Sequence, residues 1–248
     1  MKPTGRTART TALAALLLSV LWAAPGAAQE RDDPDDDGGG GLRVAVQAGY
    51  QAVDLEALNA RLEERGIPTF GEDYLTIGAT AGVPLDPVLL EAEAEALVQK
   101  ERTTEDFRRT LGGGRIQLNL GYPVYATDRL RLRPYGGLGV GTIRLESVEH
   151  GPVPFDELLE DAGPATRLHN TELVLQLGLG GDVDLDGWTL GARAGYSFAP
   201  NAGDWKAEDV QILEAPDVGI EGFFVKGSVG FGGWSPPGDG GEGGDGGR

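Results

Sequence analysis

The sequence contains no cysteine, so neither disulfide bonds nor thiolate metal sites can stabilise the fold. Histidine is almost as scarce, at 2 of 248 residues, and acidic residues outnumber basic ones, which gives a formal net charge of −18. A field of that sign repels nucleic acid, because phosphate binding needs an excess of Lys and Arg. These shortages exclude a disulfide framework and a nucleic-acid partner. We expect no metal and no cofactor.

Long apolar runs are also lacking beyond the N-terminal region. Residues 12–24 form an almost wholly apolar run, which a basic segment precedes and the small residues 26–28 follow. This order is typical of a signal peptide over residues 1–28, with cleavage near Ala28, and an uncleaved anchor is the alternative. Cleavage would remove three basic and no acidic residues, and the net charge would become −21. Without another run of about 20 apolar residues, only a β-barrel could span a membrane.

Glycine, in contrast, is abundant, at 41 residues. Residues 29–41 are rich in Asp and Gly, and residues 235–248 combine Pro, Gly and acidic residues. Such compositions bury too little apolar surface to fold and are typical of solvated, disordered segments. We therefore predict a linker and a tail on either side of one domain, residues 42–234.

Within that domain, apolar residues alternate with polar or small ones, as in strands with two different faces. In the clearest example, Glu172, Gln176, Asp182 and Asp184 share one face of a strand. The opposite face carries the apolar residues Leu173, Leu175, Leu177, Leu179, Val183 and Leu185. We predict eight such strands. The first apolar residues of their eight faces are Val44, Leu75, Leu90, Ile116, Leu130, Leu173, Trp188 and Phe223.

The third predicted strand, residues 88–100, has a competing interpretation. Asp86 and Pro87, followed by Ala, Glu and Leu residues, are also a good start for a helix. Alternation persists over the segment, with only Leu97 departing from it, and bacterial single-chain barrels have an even number of strands. We therefore favour a strand.

The connections between the predicted strands alternate in length. The short ones are 84–87, 123–128 and 184–187, and the long ones are 51–73, 101–114, 146–170 and 199–219. Outer-membrane barrels have short periplasmic turns and longer outer loops. This sorting predicts localisation to the bacterial outer membrane. Leucines at helical spacing in residues 54–64 predict a short helix. We favour a helix that caps the barrel mouth, and contact with a partner is the alternative.

Aromatic residues are few, yet many lie near the ends of the predicted strands. Aromatic belts mark both interfaces of a membrane barrel, whereas core aromatics would scatter along the strands. The predicted interface residues are Tyr50, Tyr74, Tyr122, Trp188, Phe198, Phe223 and Trp234.

Three motifs resemble the small eight-stranded outer-membrane β-barrel families of the opacity-protein type. They are RPYGGLGVG at 133–141, LGARAGY at 190–196 and FVKGSVGF at 224–231. The resemblance implies an all-β, antiparallel up-and-down transmembrane barrel. It also implies a monomer in outer-membrane lipid, inserted by the barrel-assembly machinery. Such families usually end on an aromatic residue of the last strand, whereas a polar tail follows Trp234 here, so the insertion signal is internal.

If the apolar faces look outward, charged residues line the lumen. The predicted lumen network consists of Glu91, Glu93, Glu95, Arg129, Arg131, Arg133 and Arg193. Eight strands leave an interior just wide enough for side chains, so opposite charges should pair and plug it. We expect Arg193 and Lys226 to join Glu172 or Asp182. A narrow charged pore is the alternative.

Catalytic residues are not apparent. His150 and Ser147 lie close together in one long connection, but such a loop pair is common, and the acids at 156–157 and 160–161 lack the spacing of a calcium loop. We predict a non-enzymatic outer-membrane barrel that supports the envelope or binds a surface ligand through its long loops. A soluble exported lipocalin-like barrel, a narrow channel and an outer-membrane hydrolase are the alternatives.

Overall fold

The computed structural model describes residues 41–232, except 86, 105–106, 128, 150–164, 186, 201–203 and 208–209. The predicted signal peptide, linker and tail lie outside these residues, apart from Gly41. The eight long strands are β1 Arg43–Ala52, β2 Asp73–Leu85, β3 Val88–Thr103, β4 Phe107–Gly121, β5 Leu130–Glu149, β6 Ala165–Leu185, β7 Trp188–Phe198 and β8 Gly222–Phe231. Helix α1 covers Glu56–Glu63. Among the described residues, no helix is both long and apolar enough to cross a bilayer.

Each long strand pairs antiparallel with the next, and β8 pairs with β1, which closes the sheet into a barrel. The predicted eight-stranded barrel is confirmed. Its contested third strand is also confirmed, since Ala94 lies opposite Ala79 of β2 and Ile116 of β4. Good helix formers adopt a strand here because both neighbouring strands supply partners, and tertiary context overrides intrinsic propensity.

Tight turns join strands at one end of the barrel, the short-turn end. β2 and β3 are linked across Leu85 and Val88, and β6 and β7 across Leu185 and Trp188. Gly187 in the second turn has φ 98°, a left-handed conformation that glycine adopts without strain. Both chain ends of the barrel also lie at this end, because β1 enters and β8 leaves there.

The opposite end, the long-loop end, differs from the sequence prediction in two connections. Residues 101–114 and 146–170 were expected to be long connections, but β3 extends to Thr103, β4 begins at Phe107, β5 extends to Glu149 and β6 begins at Ala165. Two strand pairs therefore project as hairpins. Backbone pairing continues because the inward residues, such as Ile143, remain buried at this level. A register shift between Leu97 and Lys100 accompanies the extension.

Short strands complete the sheet at its margins. Tyr125–Ala126 pairs with β5 within the connection between β4 and β5. In the last long connection, Lys206–Ala207 pairs with β6 above the end of β7, and Val210–Gln211 pairs with Lys206–Ala207. The predicted helix is present as α1, and its Leu58 and Leu62 are buried.

Candidate functional site in the barrel interior

The outer surface of the barrel is apolar along the strand centres. Leu75 and Ile116 are each 66% exposed, and the aliphatic side chains of the other strands face outward in the same way. Inward side chains on the same strands are mostly polar. A continuous exposed apolar surface around a polar interior reverses the pattern of a water-soluble barrel. It is the arrangement of a barrel whose outside faces lipid.

Five predicted interface aromatics lie on this outer surface. They are Tyr50, Tyr122, Trp188, Phe198 and Phe223. The prediction for Tyr74 is wrong, because its side chain is only 1% exposed and lies inside the barrel. Period-two alternation explains the error, since Leu75 faces outward and its neighbour must therefore face inward. Trp234 lies outside the described residues.

Nine charged side chains fill the half of the interior nearer the short-turn end, and we call them the ionic network. Its members are Arg43, Glu91, Glu93, Glu95, Arg115, Arg133, Asp182, Arg193 and Lys226. They come from seven of the eight long strands, and all are buried. Five cations face four carboxylates, so the opposite charges nearly balance. Burial of charge is tolerated only when partners of this kind are present.

Glu93 lies at the centre of the ionic network. One carboxylate oxygen is 2.5 Å from Lys226 Nζ, and the other accepts a hydrogen bond of 3.0 Å from the Asn119 side chain. Arg193 NH1 lies 3.5 Å from the same carboxylate. Glu95 extends the cluster, since its Oε2 is 2.7 Å from Arg115 NH2 and 2.9 Å from Lys226 Nζ. The two carboxylates thus tie β3 to β4, β7 and β8.

Glu91 and Asp182 connect the remaining cations. Glu91 lies between two guanidinium groups, 2.5 Å from Arg193 NH2 and 3.1 Å from Arg133 NH2. Arg133 also pairs with Asp182, which accepts two hydrogen bonds from Arg43 at 2.5 and 2.9 Å. Bidentate pairing of this kind fixes geometry as well as charge. An unbroken series of ion pairs therefore crosses the lumen from β1 to β8.

Neutral polar side chains fill the space beside the ionic network. The Gln117 amide donates 3.0 Å to Asn119 and also hydrogen-bonds Gln176, and Arg115 donates 2.8 Å to Ser197. Glycine makes room for these groups. A Cβ on Gly139 would overlap the Gln117 Cβ, which leaves no space for any side chain there.

The sequence-predicted lumen residues do not all reach this network. Glu91, Glu93, Glu95, Arg133 and Arg193 are in it, whereas Arg131 is half-buried beside it. Arg129 is exposed, because it precedes the first residue of β5 at the short-turn end. Here the prediction placed a residue of the connection inside the barrel.

Partner choice also differs from the expectation. Arg193 and Lys226 pair with β3 carboxylates, not with Glu172 or Asp182. Arg43 and Arg115 were not predicted at all. The sequence did contain a signal for both, since they directly precede Val44 and Ile116 of the predicted apolar faces, and alternation therefore points them inward.

Apolar side chains predominate in the half of the interior nearer the long-loop end, and we call them the apolar cap. Its members are Val53, Leu55, Leu58, Leu62, Phe70, Tyr74, Leu97, Leu111, Ile143, Val174, Trp205, Val218 and Ile220. They combine inward strand residues with α1 and the last long connection. Leu97, which departed from the predicted alternation, therefore has a place as an inward apolar residue. The prediction of a mouth-capping helix matches this packing.

Specific hydrogen bonds hold the apolar cap in place. The Asn59 side chain both donates to the Phe70 carbonyl at 2.9 Å and accepts from the Phe70 N–H at 3.0 Å. The backbones of Asp54 and Gly219 form an isolated β-bridge, which joins the first and last long connections. The Trp205 indole donates 2.7 Å to the Pro216 carbonyl. Each connection is thus fixed internally and to the other.

Strand β6 anchors the last connection to the barrel wall. Asn170 donates 2.9 Å to the Val218 carbonyl, and the buried Glu172 carboxylate accepts from the Ile220 N–H at 2.5 Å. Two different fillings therefore close the interior, one ionic and one apolar. Among the described residues there is no cluster of His, Cys, Asp and Glu that could hold a metal ion. His150 and the acids at 156–157 and 160–161 lie outside those residues.

The chain shows similarity to known proteins only at the level of solved structures. No family model and no curated protein matches the chain. A major outer membrane protein from Thermus thermophilus is 12% identical with a TM-score of 0.45, covering 77% of this chain and 99% of that one. Neisserial surface protein A is 12% identical (TM-score 0.42, 77% and 97%), and OprG from Pseudomonas aeruginosa is 14% identical (0.41, 81% and 100%). This chain is similar to outer-membrane proteins, and its own strand pairing establishes the closed eight-stranded barrel.

Proposed function

We propose that this protein is a non-enzymatic barrel of the bacterial outer membrane whose lumen is closed. In this role it supports the envelope and presents its projecting hairpins and long connections to the cell exterior. The observation that carries the proposal is the contrast between the apolar outer surface and the filled interior. The ionic network occupies one half of that interior, and the apolar cap occupies the other.

The filled interior argues against the two main alternatives. A lipocalin-like carrier would need an apolar cavity for its ligand, whereas charged and amide side chains occupy the centre of this barrel. A narrow channel would need a continuous hydrated path. The salt bridges of Glu91 and Glu93 cross that path, and the residues of the apolar cap cover it at the long-loop end.

Localisation is tested by fractionation of cells that express the protein. We expect recovery in the outer-membrane fraction, extraction only with detergent, and a gel mobility that changes on heating, because folded barrels resist detergent unfolding. Recovery in the periplasmic fraction without detergent would contradict the membrane proposal.

Closure is tested separately by planar-bilayer recording of the purified protein. We expect no conductance steps, since eight strands leave an interior just wide enough for side chains, and here the ionic network and the apolar cap occupy it. Regular steps from the unmodified protein would show a channel and contradict the closed lumen, while leaving the outer-membrane localisation intact.

A further inference from the structure

The exposed aliphatic side chains around the strand centres form an apolar belt on the outside of the barrel. On the long-loop side of this belt, the outer face of strands β4, β5 and β6 changes from aliphatic to cationic. Ile116, Val140 and Leu173 are neighbours on one rung of the sheet and are all exposed. Two residues further from the short-turn end, Thr142 lies opposite Thr171. The next rung with side chains on this outer face brings Arg144 opposite His169, and His169 opposite Lys206. Strand register, and not chance proximity, therefore aligns the three basic side chains.

The alternation of the strands places these side chains outside the barrel. Their neighbours Ile143 and Trp205 are buried in the apolar cap, so Arg144 and Lys206 must face away from it. Both are exposed, and His169 is half-buried. We call Arg144, His169 and Lys206 the basic rung.

Among the described residues, the charge around the basic rung is positive, in a protein whose formal net charge is −18. Arg167 lies one outward position further up β6 and pairs with Glu146 at 3.3 Å, so these two charges offset each other. Asp204, two residues before Lys206, carries an exposed carboxylate. The acids of the first connection and of β2, among them Glu72 and Asp73, lie on the β1–β2 side of the barrel.

The basic rung lies within side-chain reach of the level of lipid phosphates. Four residues along β6 separate His169 from Leu173, the last lipid-facing side chain of that strand. At about 3.3 Å per residue and a tilt of about 40°, this is roughly 10 Å above the edge of the apolar belt. Polar headgroups occupy roughly the first 5–8 Å beyond the hydrocarbon edge, so the long basic side chains of the rung must reach down towards them.

We propose that the basic rung binds the phosphate groups of anionic lipids in the outer leaflet. This inference rests on the proposed outer-membrane location, with the long-loop end facing outward. The chemistry is that of a phosphate monoester or diester accepting charge-assisted hydrogen bonds from a guanidinium and an ammonium group. Continuity with the apolar belt favours a lipid over a soluble anion, because acyl chains of the same molecule would contact Val140 and Leu173.

The test measures binding of fluorescently labelled lipid A, with and without its two phosphates, to the purified protein in neutral detergent micelles. Heat-modifiable gel migration of the unmodified protein is recorded first, so that a failure of the membrane-barrel proposal is seen independently. We expect the phosphorylated lipid to bind at least about tenfold more tightly than the dephosphorylated one.

Variant proteins then locate the site. The double substitution Arg144→Glu and Lys206→Glu should weaken binding of the phosphorylated lipid by at least about 30-fold, because each lost cation contributes roughly 1 kcal/mol near an anionic surface and each new carboxylate repels phosphate. The matched control Arg61→Glu and Arg65→Glu makes the same charge change at exposed positions of α1 and the turn after it. It should leave binding within about threefold. Arg144→Gln with Lys206→Gln provides a milder variant if charge reversal prevents folding.

Several results would overturn the inference for a folded barrel. One is equal binding of the two lipids by the unmodified protein. Another is an equal loss in the rung and control variants, which would indicate a general effect of net charge. A third is rung-dependent binding of heparin without any preference for lipid phosphate, which would indicate a polysaccharide surface instead.

Discussion

The two halves of the interior are filled by opposite chemistries within a single sheet. The ionic network near the short-turn end consists of buried charges that need each other, whereas the apolar cap near the long-loop end consists of side chains that need only exclusion from water. Removing one charge leaves its partners unpaired, while removing one apolar group leaves a cavity. The halves should therefore respond differently to substitution. The ionic network holds strands together, and the apolar cap holds the first and last long connections over the barrel mouth.

The largest effect is expected for Glu93→Ala in the ionic network. Lys226, Arg193 and Asn119 would lose their shared acceptor, and breaking a buried ion pair in this way costs about 3–5 kcal/mol in the free energy of unfolding. Urea titration of protein in lipid vesicles, followed by heat-modifiable gel migration, measures this. Glu72→Ala removes an exposed carboxylate and is the control. Equal stability of the two variants would mean that Glu93 is not the centre of the network.

A slightly smaller and more local effect is expected for Leu55→Ala in the apolar cap. Leu55 is fully buried, and a cavity of this size costs about 2–5 kcal/mol. Because the loss falls on the first connection, residues near α1 should become sensitive to protease while the strands stay resistant. The exposed Leu213 provides the matched control, Leu213→Ala. Global unfolding of the Leu55 variant, with no protease-sensitive barrel state, would contradict the separation into two halves.

Hydrogen bonds that position α1 should matter less than its buried leucines. Asn59→Ala removes both bonds to the Phe70 backbone, at about 1 kcal/mol each. We expect faster amide hydrogen exchange in the first connection and an unchanged rate in β3. Gln211→Ala, an exposed polar residue of the last connection, should leave both rates unchanged. An increase in β3 exchange would show that cap and network are coupled.

The smallest effect is expected for Glu146→Gln on the projecting hairpin. Its ion pair with Arg167 is solvent-exposed, and pairs of this kind contribute about 0–1 kcal/mol. The urea midpoint should therefore move little, in contrast to Glu93→Ala. A loss as large as that of the Glu93 variant would show that exposure does not distinguish these two ion pairs, and the comparison between buried and surface charge would fail.

Alternation predicted most of the barrel, including β3, because a strand that separates lipid from a polar lumen must change chemistry at every residue. The same rule, applied one residue further, would have placed Arg43 and Arg115 inward and Tyr74 inside. The ends of the strands were less predictable. Residues 101–114 and 146–170 contain the polar composition of connections, yet residues 101–103, 107–114, 146–149 and 165–170 belong to the sheet, where inward apolar residues such as Leu111 are buried.

Partner choice within the interior could be predicted only in part. Opposite charges of β3 and β5 do pair, as Glu91 and Arg133 show, but the partners of the other cations differ. Lys226 pairs with Glu93 and Glu95 across the lumen, over sequence separations of more than a hundred residues. Which carboxylate lies opposite a cation depends on strand register and on the tilt of strands across a closed barrel, and neither is encoded in a local pattern. The same holds for the bridge between Asp54 and Gly219, which depends on two distant connections meeting over one mouth.

By itself, the sequence determined that the chain makes eight alternating strands with an apolar face, because side-chain direction in a strand has a period of two residues. It also determined which residues of the strand centres face inward, since every second position of a strand lies on the same face. Only the tertiary structure decided how that interior divides into an ionic half and an apolar half. That division arises because barrel closure brings distant strands to the same height, where side chains must find partners in charge, hydrogen bonding or volume.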